Sequence, residues 1–330
     1  MAGTPERSGQ SVTSMFERGT YGELSFAGVS PNLTGKTSGG SDISDLGDTY
    51  FSFGGAYKSD VNEQLSIGLI VDQPWGADIT YDTAASSGVF SGSNTEWNST
   101  AVTALARYKL DGGFSIHGGL RAERLSIDVN LPVASALNSI KSSTGIGYTL
   151  GVAYEIPEKA TRVSLTYHSA VSHEADVEFN GASDGQTKFD MPQSINLEFR
   201  KAISRTTIVF GSARYIDWKS LDIDTNSFGD LVSYSDNTLQ TQIGVGKAFS
   251  KEWSGALMVD YEPATDSPVS DLSPTDGKFG IGAAATYTMG TTKITGLLKV
   301  LRNGDAVSRS GSTFDGNTTL ALGVKLAKTF

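Results

Sequence analysis

The sequence predicts an all-β fold: a transmembrane antiparallel β-barrel of about 14 strands with short periplasmic turns and long extracellular loops. Three observations predict it. Apolar and polar residues alternate along most of the chain, the alternating segments are long, and short and long connections follow one another in turn. A large soluble sheet protein is the alternative, but such a protein has no physical reason to sort its connections by length.

The alternation is clearest in one segment, where Ile146, Tyr148 and Leu150 alternate with Gly147 and Thr149. Because successive side chains of a strand point to opposite faces, the apolar set lies on one face and the small or polar set on the other. Similar segments predict strands at 20–33, 48–58, 62–71, 97–109, 114–129, 144–156, 161–178, 189–201, 205–219, 235–249, 253–264, 274–288, 291–303 and 316–330.

The lengths of the strands and connections point to a membrane barrel. Most predicted strands reach the ~9–11 residues that a tilted strand needs to cross a membrane. An even-numbered barrel has its tight turns at one rim, together with both chain ends. We therefore predict a short N-terminal segment, 1–19, and a barrel, 20–330. The long connections at the other rim are predicted at 34–47, 72–96, 130–143, 179–188, 220–234, 265–273 and 304–315.

Composition excludes several other classes of protein. The chain has 330 residues, a formal net charge of −10 and no cysteine, so we predict no nucleic-acid partner and no disulfides. No apolar run approaches the ~20 residues of a membrane helix. The first residues are polar, so an outer-membrane location implies that a signal peptide has been removed. We predict no catalytic residues, no metal site and no cofactor.

The last predicted strand alternates up to a terminal aromatic residue, Phe330. This end resembles the terminal-strand signal of bacterial outer-membrane proteins. We therefore expect the barrel-assembly machinery to recognise it, the lipid and lipopolysaccharide of the outer membrane to surround the barrel, and the barrel to be a monomer.

Three arginines are candidates for the barrel interior. In the fifth predicted strand the apolar residues change from even to odd numbers between Leu120 and Leu125, which requires a bulge there. Arg121 and Arg124 lie in this stretch, and Arg107 lies on the preceding strand. Charge that faces lipid is costly, so we expect all three to point inward. They would bind a ligand or, alternatively, form an internal network of ion pairs.

Several stretches resemble the FadL-type outer-membrane transporters of long-chain fatty acids and aromatic hydrocarbons. The hairpin 147–169 resembles their aromatic-x-x-G-x-x-Y-E … R-x-x-L-x-Y-R-S hairpin, and the segments that begin at Met191, Tyr215 and Asp266 resemble three further motifs. The matches follow the family's order through residues 100–330. The resemblance implies passive transport of hydrophobic small molecules across the outer membrane. A general diffusion porin and, less favoured, a barrel lipase are the alternatives.

The resemblance also implies roles for particular residues. It places Arg124 on an arginine that binds the ligand's carboxylate, and it implies a hydrophobic capture groove in the outer loops. Leu131, Leu137 and Ile140 would share one face of a short helix there, unless they only pack the loop onto the barrel. The expected groove residues are Trp75, Val89, Phe90, Leu131, Val133, Leu137 and Ile140.

In the family, a kink in the third strand opens the barrel wall sideways. Pro74 and Gly76 interrupt that strand here, and Gly68 is a second candidate for the kink. An ordinary strand end is the alternative for Pro74. Family members also begin with a plug that carries an Asn-Pro-Ala motif, which this chain lacks. Residues 1–19 are therefore either a reduced luminal plug or a frayed terminus.

Overall fold

The structure is a computed structural model that describes residues 5–83, 90–132, 135–227, 229–271 and 273–330. These residues form a closed antiparallel barrel of 14 strands, so the predicted fold class is confirmed. The strands are β1 (Tyr21–Asn32), β2 (Tyr50–Asp60), β3 (Leu65–Asp72 and Gly76–Thr80), β4 (Asn94–Lys109), β5 (Phe114–Leu131), β6 (Ala136–Ile156), β7 (Thr161–His168 and Val171–Phe179), β8 (Ala182–Met191 and Ser194–Ala202), β9 (Thr207–Ile216), β10 (Thr238–Ala248), β11 (Trp253–Glu262), β12 (Lys278–Met289), β13 (Thr292–Asn303) and β14 (Thr318–Thr329).

The barrel closes where its first strand meets its last. Leu24 of β1 lies opposite Leu326 of β14 on one side and Gly55 of β2 on the other. Closure leaves the sheet without a free edge on which another chain could add a strand. Within the described ranges, no helix is both long enough and apolar enough to cross a membrane.

An apolar belt surrounds the barrel. Its members, such as Phe26, Phe51 and Leu257, are large side chains exposed on the outer face. Aromatic pairs lie near the rim of tight turns, with ring centroids 5.0 Å apart for Trp253 and Tyr287. Such a belt with aromatic residues at its border is typical of an outer-membrane barrel.

Small elements cover the rim of long connections. The connections after β1 and β13 form a four-stranded sheet, and the connection after β9 forms a hairpin. The short strands of the sheet are Gly35–Lys36, Asp42–Ile43, Ala306–Val307 and Thr313–Phe314, and those of the hairpin are Asp222–Thr225 and Gly229–Ser233. One-turn 3-10 helices lie at Thr13–Phe16, Asp111–Gly113, Pro157–Lys159 and Trp218–Ser220.

Two connections that we expected to be long are strand instead. β5 and β6 pair as far as Leu131 and Ala136, and β7 and β8 pair as far as Phe179 and Ala182. Both hairpins therefore rise beyond the apolar belt, and the predicted loops 130–143 and 179–188 are wrong. The alternation of apolar and polar residues identified the strands within the belt. It did not identify their continuation above the belt, where inward-facing and outward-facing residues no longer differ clearly in polarity.

The helix expected near residues 131–140 is also wrong. In a strand, residues three apart point to opposite faces. Leu137 is accordingly 43% exposed on the outside of β6, whereas Ile140 is 1% exposed inside the barrel.

The bulge expected between Leu120 and Leu125 does not occur. Odd-numbered residues of β5 point inward on both sides of this stretch, from His117 to Val129. The apolar residues change parity because the inner face itself becomes apolar toward the outer rim. The irregularity comes later, after Leu125, and the extra residue belongs to β6.

Two apolar clusters fill the outer part of the barrel. The luminal cluster consists of Trp75, Trp97, Leu125, Ile127, Val129, Ile140, Val171, Ala175, Val177, Phe189, Met191, Ile216, Trp218, Leu221 and Ile223. The outer-loop cluster consists of Leu33, Ile43, Leu46, Ile79, Tyr81, Val269, Ala306 and Phe314, beneath the small sheet.

Candidate functional site

The described part of the N-terminal segment, residues 5–19, lies inside the barrel, against the wall formed by β2–β9. Met15 and Phe16 are buried there in a small apolar cluster with Leu105. The Phe16 ring also lies against two guanidinium groups, 4.4 Å from Arg107 and 4.6 Å from Arg162. Contacts of this kind combine apolar burial with attraction between a cation and an aromatic face.

Polar side chains of the wall bind the main chain of this segment. Arg214 donates a hydrogen bond to the Ser8 carbonyl at 2.6 Å, and Asn196 donates one to the Gly9 carbonyl at 2.8 Å. Nearer the tight turns, Lys58 Nζ donates to the Glu17 and Gly19 carbonyls, both at 2.9 Å. The carbonyls of an irregular segment are thus satisfied inside the barrel, as burial away from water requires.

β3 breaks in the middle of its length. Asp72 lies opposite Ala101 of β4, and the next paired residue, Gly76, lies opposite Asn98. Three residues of β3 therefore lie opposite two residues of β4, and an extra residue of this kind bends the strand that carries it. Pro74 lies in this break and lacks an N–H group, so it could not have paired there in any case.

The broken part of β3 pairs with the N-terminal segment. The Arg7 amide donates to the Pro74 carbonyl at 2.9 Å, and the Gly76 amide donates to the Pro5 carbonyl at 2.8 Å. Glycine at position 76 leaves room for the guanidinium of Arg7, which a Cβ there would displace. That guanidinium in turn forms an ion pair with Asp78.

The break leaves a gap in the wall between β2 and β3. Their ladder ends where Gly55 lies opposite Val71, and beyond it the Phe53 amide bonds instead to the side-chain oxygen of Gln73, at 2.9 Å. Main-chain contact resumes farther out, where the Asp48 amide donates to the Asp78 carbonyl at 3.3 Å. The gap is therefore bounded on both sides by main-chain hydrogen bonds.

A cavity of about 260 Å³ lies directly behind this gap. Small side chains of β1 and β2 line it, among them Ser25, Ser52 and Gly54. The N-terminal segment and Arg121 form its inner boundary. At the stretch where β2 and β3 are unpaired, the ladder that would close the wall between the cavity and the outer face is interrupted.

Gly68 lies outside the break. It lies in a continuous stretch of β3, opposite Lys58 and Leu105, so its expected role as a kink is wrong. Its small size instead leaves space for the N-terminal segment, since a Cβ there would lie 2.5 Å from Met15 Sδ.

Two of the three candidate arginines point inward, and both are paired. Arg121 lies 3.3 Å from Glu123 and 3.5 Å from Asp72, and Arg107 forms an ion pair with Glu155. These pairs lie at the interior surface beside the N-terminal segment.

Arg124 points outward, so its expected luminal position is wrong. Its neighbours Glu123 and Leu125 are buried inside the barrel, and strand alternation therefore places Arg124 on the outer face. There its Nε donates a hydrogen bond to Ser142 Oγ at 2.5 Å.

The structure brings together only part of the expected capture groove. Trp75 and Ile140 belong to the luminal cluster, and Leu131 packs against its edge. Trp75 is buried, with its ring 5.1 Å from that of Trp218, and cannot be a first contact for a ligand at the surface. Leu137 points away from the cluster. Val89 and Val133 lie outside the described residues.

The two apolar clusters meet at Tyr234, which packs against both. Phe90 packs on the outer-loop cluster, with its ring 5.3 Å from that of Tyr81. Burial raises the pKa of the Tyr234 hydroxyl above its ordinary value. Together, Phe90, Leu131 and Tyr234 mark a half-buried apolar seam, and we call them the outer seam. Tyr234 was not predicted, although the apolar run from Leu231 within a long connection was a usable signal.

Comparison with known proteins identifies the family. The model of the outer membrane protein transport protein family (OMPP1/FadL/TodX) matches residues 27–267. A Pseudomonas aeruginosa FadL homologue is 14% identical, with a TM-score of 0.77, over 96% of this chain and 92% of its own. No curated protein matches the chain in sequence.

Two further solved structures share the fold. The P. putida toluene transporter TodX is 13% identical, with a TM-score of 0.74, over 96% of this chain and 92% of its own. The Ralstonia pickettii toluene transporter TbuX is 13% identical, with a TM-score of 0.68, over 95% of this chain and 90% of its own. Since the family model covers well over half of its residues, the chain belongs to the outer membrane protein transport family and lies in the bacterial outer membrane.

Proposed function

We propose that this protein lets hydrophobic small molecules cross the outer membrane passively and leave sideways through the gap between β2 and β3. The gap, with the cavity directly behind it, is the observation that carries the proposal. An apolar solute gains roughly 25 cal/mol for each Å² that it removes from water. Such a solute would therefore move from the outer seam into the barrel and on into lipid without any coupled energy source.

The gap is compatible with a lipid surrounding because main-chain groups at its edges have hydrogen-bond partners. A strand that faces lipid cannot leave its amides and carbonyls unpaired without a cost of several kcal/mol. Here Gln73 satisfies the Phe53 amide, and the N-terminal segment satisfies the main chain of the break. We propose that this segment acts as a reduced plug and closes the direct path through the centre of the barrel.

Uncharged hydrocarbons are the ligand class that the interior supports best. Arg107 and Arg121 already face carboxylates, and the solved structures with the same fold include two toluene transporters. A fatty acid is the second candidate, because its carboxylate would meet Arg121 at the cavity.

Filling the cavity tests the proposal. We expect Gly54→Trp to lower the uptake of radiolabelled toluene at least about tenfold, since the indole would occupy the space behind the gap and remove the burial that draws an apolar solute in. Uptake is measured in cells that lack other transporters of this kind. Gly296→Trp is the matched control, because a side chain at this outward-facing glycine meets no atom within 4 Å.

Correct assembly of both variants is checked by their heat-dependent migration on gels. Equal uptake by the folded Gly54→Trp variant and the unmodified protein would rule out the gap as the exit.

A further inference from the structure

The inner face of the barrel is tightly filled on one side and open on the other. On β5, the inward-facing side chains of Arg121 and Glu123 are only 4% and 1% exposed. On β13 and β14, those of Lys299 and Lys325 are 20% and 47% exposed. Both lysines point inward, because their neighbours along each strand belong to the apolar belt. Their exposure is therefore to space within the barrel.

The position of the N-terminal segment explains this asymmetry. Its hydrogen bonds run mainly to β3, β8 and β9, through Asp72, Asn196 and Arg214. The opposite wall, β10–β14, contacts it chiefly through the hydrogen bond from Gln240 to Glu6. The segment thus covers one half of the interior and leaves the other half uncovered.

Two cavities lie along the uncovered wall. One, of about 430 Å³, is in the middle of the barrel and is lined by Gln242, Asp260 and Lys299 among others. The other, of about 380 Å³, is at the rim of tight turns and includes Thr295 and Lys325.

Three inward-facing residues on neighbouring strands lie between these two cavities: Ala284 on β12, Leu297 on β13 and Gly323 on β14. All three are partly exposed, although each faces the inside of the barrel. The wall therefore leaves some space for solute between the two cavities.

We propose that the barrel holds a second, water-filled path, open at the rim of tight turns, that admits small hydrophilic solutes and ions along β10–β14 as far as Lys299. The lysine at each end of the path is paired with a carboxylate, with Lys299 2.8 Å from Asp260 and Lys325 3.3 Å from Glu23. Hydrocarbons are excluded, because they would displace water from these charges. The path is independent of the sideways exit.

The natural sequence makes a direct test possible, because the chain contains no cysteine. Ala284 and Ala285 are neighbours on β12 that point into the barrel and into the belt, respectively. We expect Ala284→Cys to react at least about tenfold faster than Ala285→Cys with a positively charged methanethiosulfonate reagent in lipid nanodiscs. The reagent needs both water and a thiolate, which an apolar environment disfavours.

Thr103→Cys provides the second comparison, because this position points inward on the filled wall and is buried. We expect it to react as slowly as Ala285→Cys. The proposal fails if Ala284→Cys reacts no faster than either of the other two. If Ala284→Cys does not fold, Gly323→Cys with Val324→Cys gives an equivalent inward and outward pair on β14. Toluene uptake by Gly54→Trp tests the sideways exit separately.

Discussion

At the level of single residues, the two arginines that were predicted to face the interior, and do so, are neutralised by carboxylates. Arg121 lies between Asp72 and Glu123, and Arg107 is paired with Glu155. Removing one partner of a buried pair leaves an uncompensated charge, which typically costs about 3–5 kcal/mol. A ligand carboxylate that reached these arginines would also have to compete with carboxylates already in place. The arrangement therefore favours structural ion pairs and an uncharged ligand.

A substitution separates the structural role from a ligand-binding role. We expect Arg121→Met to lower the free energy of unfolding in detergent by about 3–5 kcal/mol, because Asp72 and Glu123 lose their counter-charge. Arg124→Met is the control and should change the free energy of unfolding by less than about 0.5 kcal/mol, since Arg124 lies on the outer surface. Unfolding is followed by tryptophan fluorescence in urea.

The same two variants test for recognition of the ligand's charge. If the interior binds uncharged solutes, the ratio of oleate uptake to toluene uptake stays the same in Arg121→Met and in Arg124→Met. A ratio that falls in Arg121→Met alone would show that this guanidinium binds the carboxylate of a fatty acid.

At the level of elements, the tall β5–β6 hairpin determines which apolar residues a ligand can reach. Leu131 and Leu137 lie close together near its tip, yet Leu131 packs on the luminal cluster and Leu137 points outward. Across the outer seam, Phe90 packs on the outer-loop cluster. Capture of a ligand should therefore depend on Leu131 and Phe90 and not on Leu137.

We expect the double variant Phe90→Asp, Leu131→Asp to reduce toluene uptake at least about tenfold, because burying a Leu or Phe side chain contributes roughly 1.5–3 kcal/mol. The matched control, Leu137→Asp, should keep the uptake of the unmodified protein. Uptake is measured at low toluene concentration, where capture limits the rate. If Leu137→Asp reduces uptake as strongly as the double variant, then capture occurs on the outside of the hairpin.

At the level of the whole molecule, closure depends on β14, which pairs with both β1 and β13. Phe330 lies just beyond this strand, where its amide donates a hydrogen bond to the Thr20 carbonyl at 2.9 Å and its ring is exposed. The ring contributes little to the packing of the finished barrel. This is compatible with the expected role of Phe330 as a signal for the assembly machinery.

We expect deletion of Phe330 to lower the amount of barrel in the outer membrane of cells several-fold while leaving refolding from urea into detergent unchanged. The physical reason is that the ladder of β14 remains intact and only one terminal hydrogen bond, typically about 0.5–1.5 kcal/mol, is lost. Membrane fractions and refolding yields are compared by heat-dependent gel migration. Equal loss in both measurements would show that Phe330 is structural. The monomeric state and the surrounding lipopolysaccharide remain predictions.

The number of strands, the apolar belt and the family could be predicted from the sequence. Alternation with a period of two is a local property, and the contrast between faces is strong wherever one face meets lipid, as at Ile146, Tyr148 and Leu150. The break at Pro74 was also visible, because proline cannot donate a hydrogen bond to a ladder whatever its neighbours are.

Other features depend on contacts between distant parts of the chain. Arg124 lies on the outer face and Ile140 on the inner face because β5 and β6 remain paired beyond the belt. There the alternation of apolar and polar residues no longer shows which residues point inward. The partner of the β3 break is Pro5–Arg7, far away in sequence. The open half of the interior exists because this segment lies against the opposite wall. Such features depend on which segments distant in sequence contact one another. The local periodicity of the sequence carries no information about those contacts.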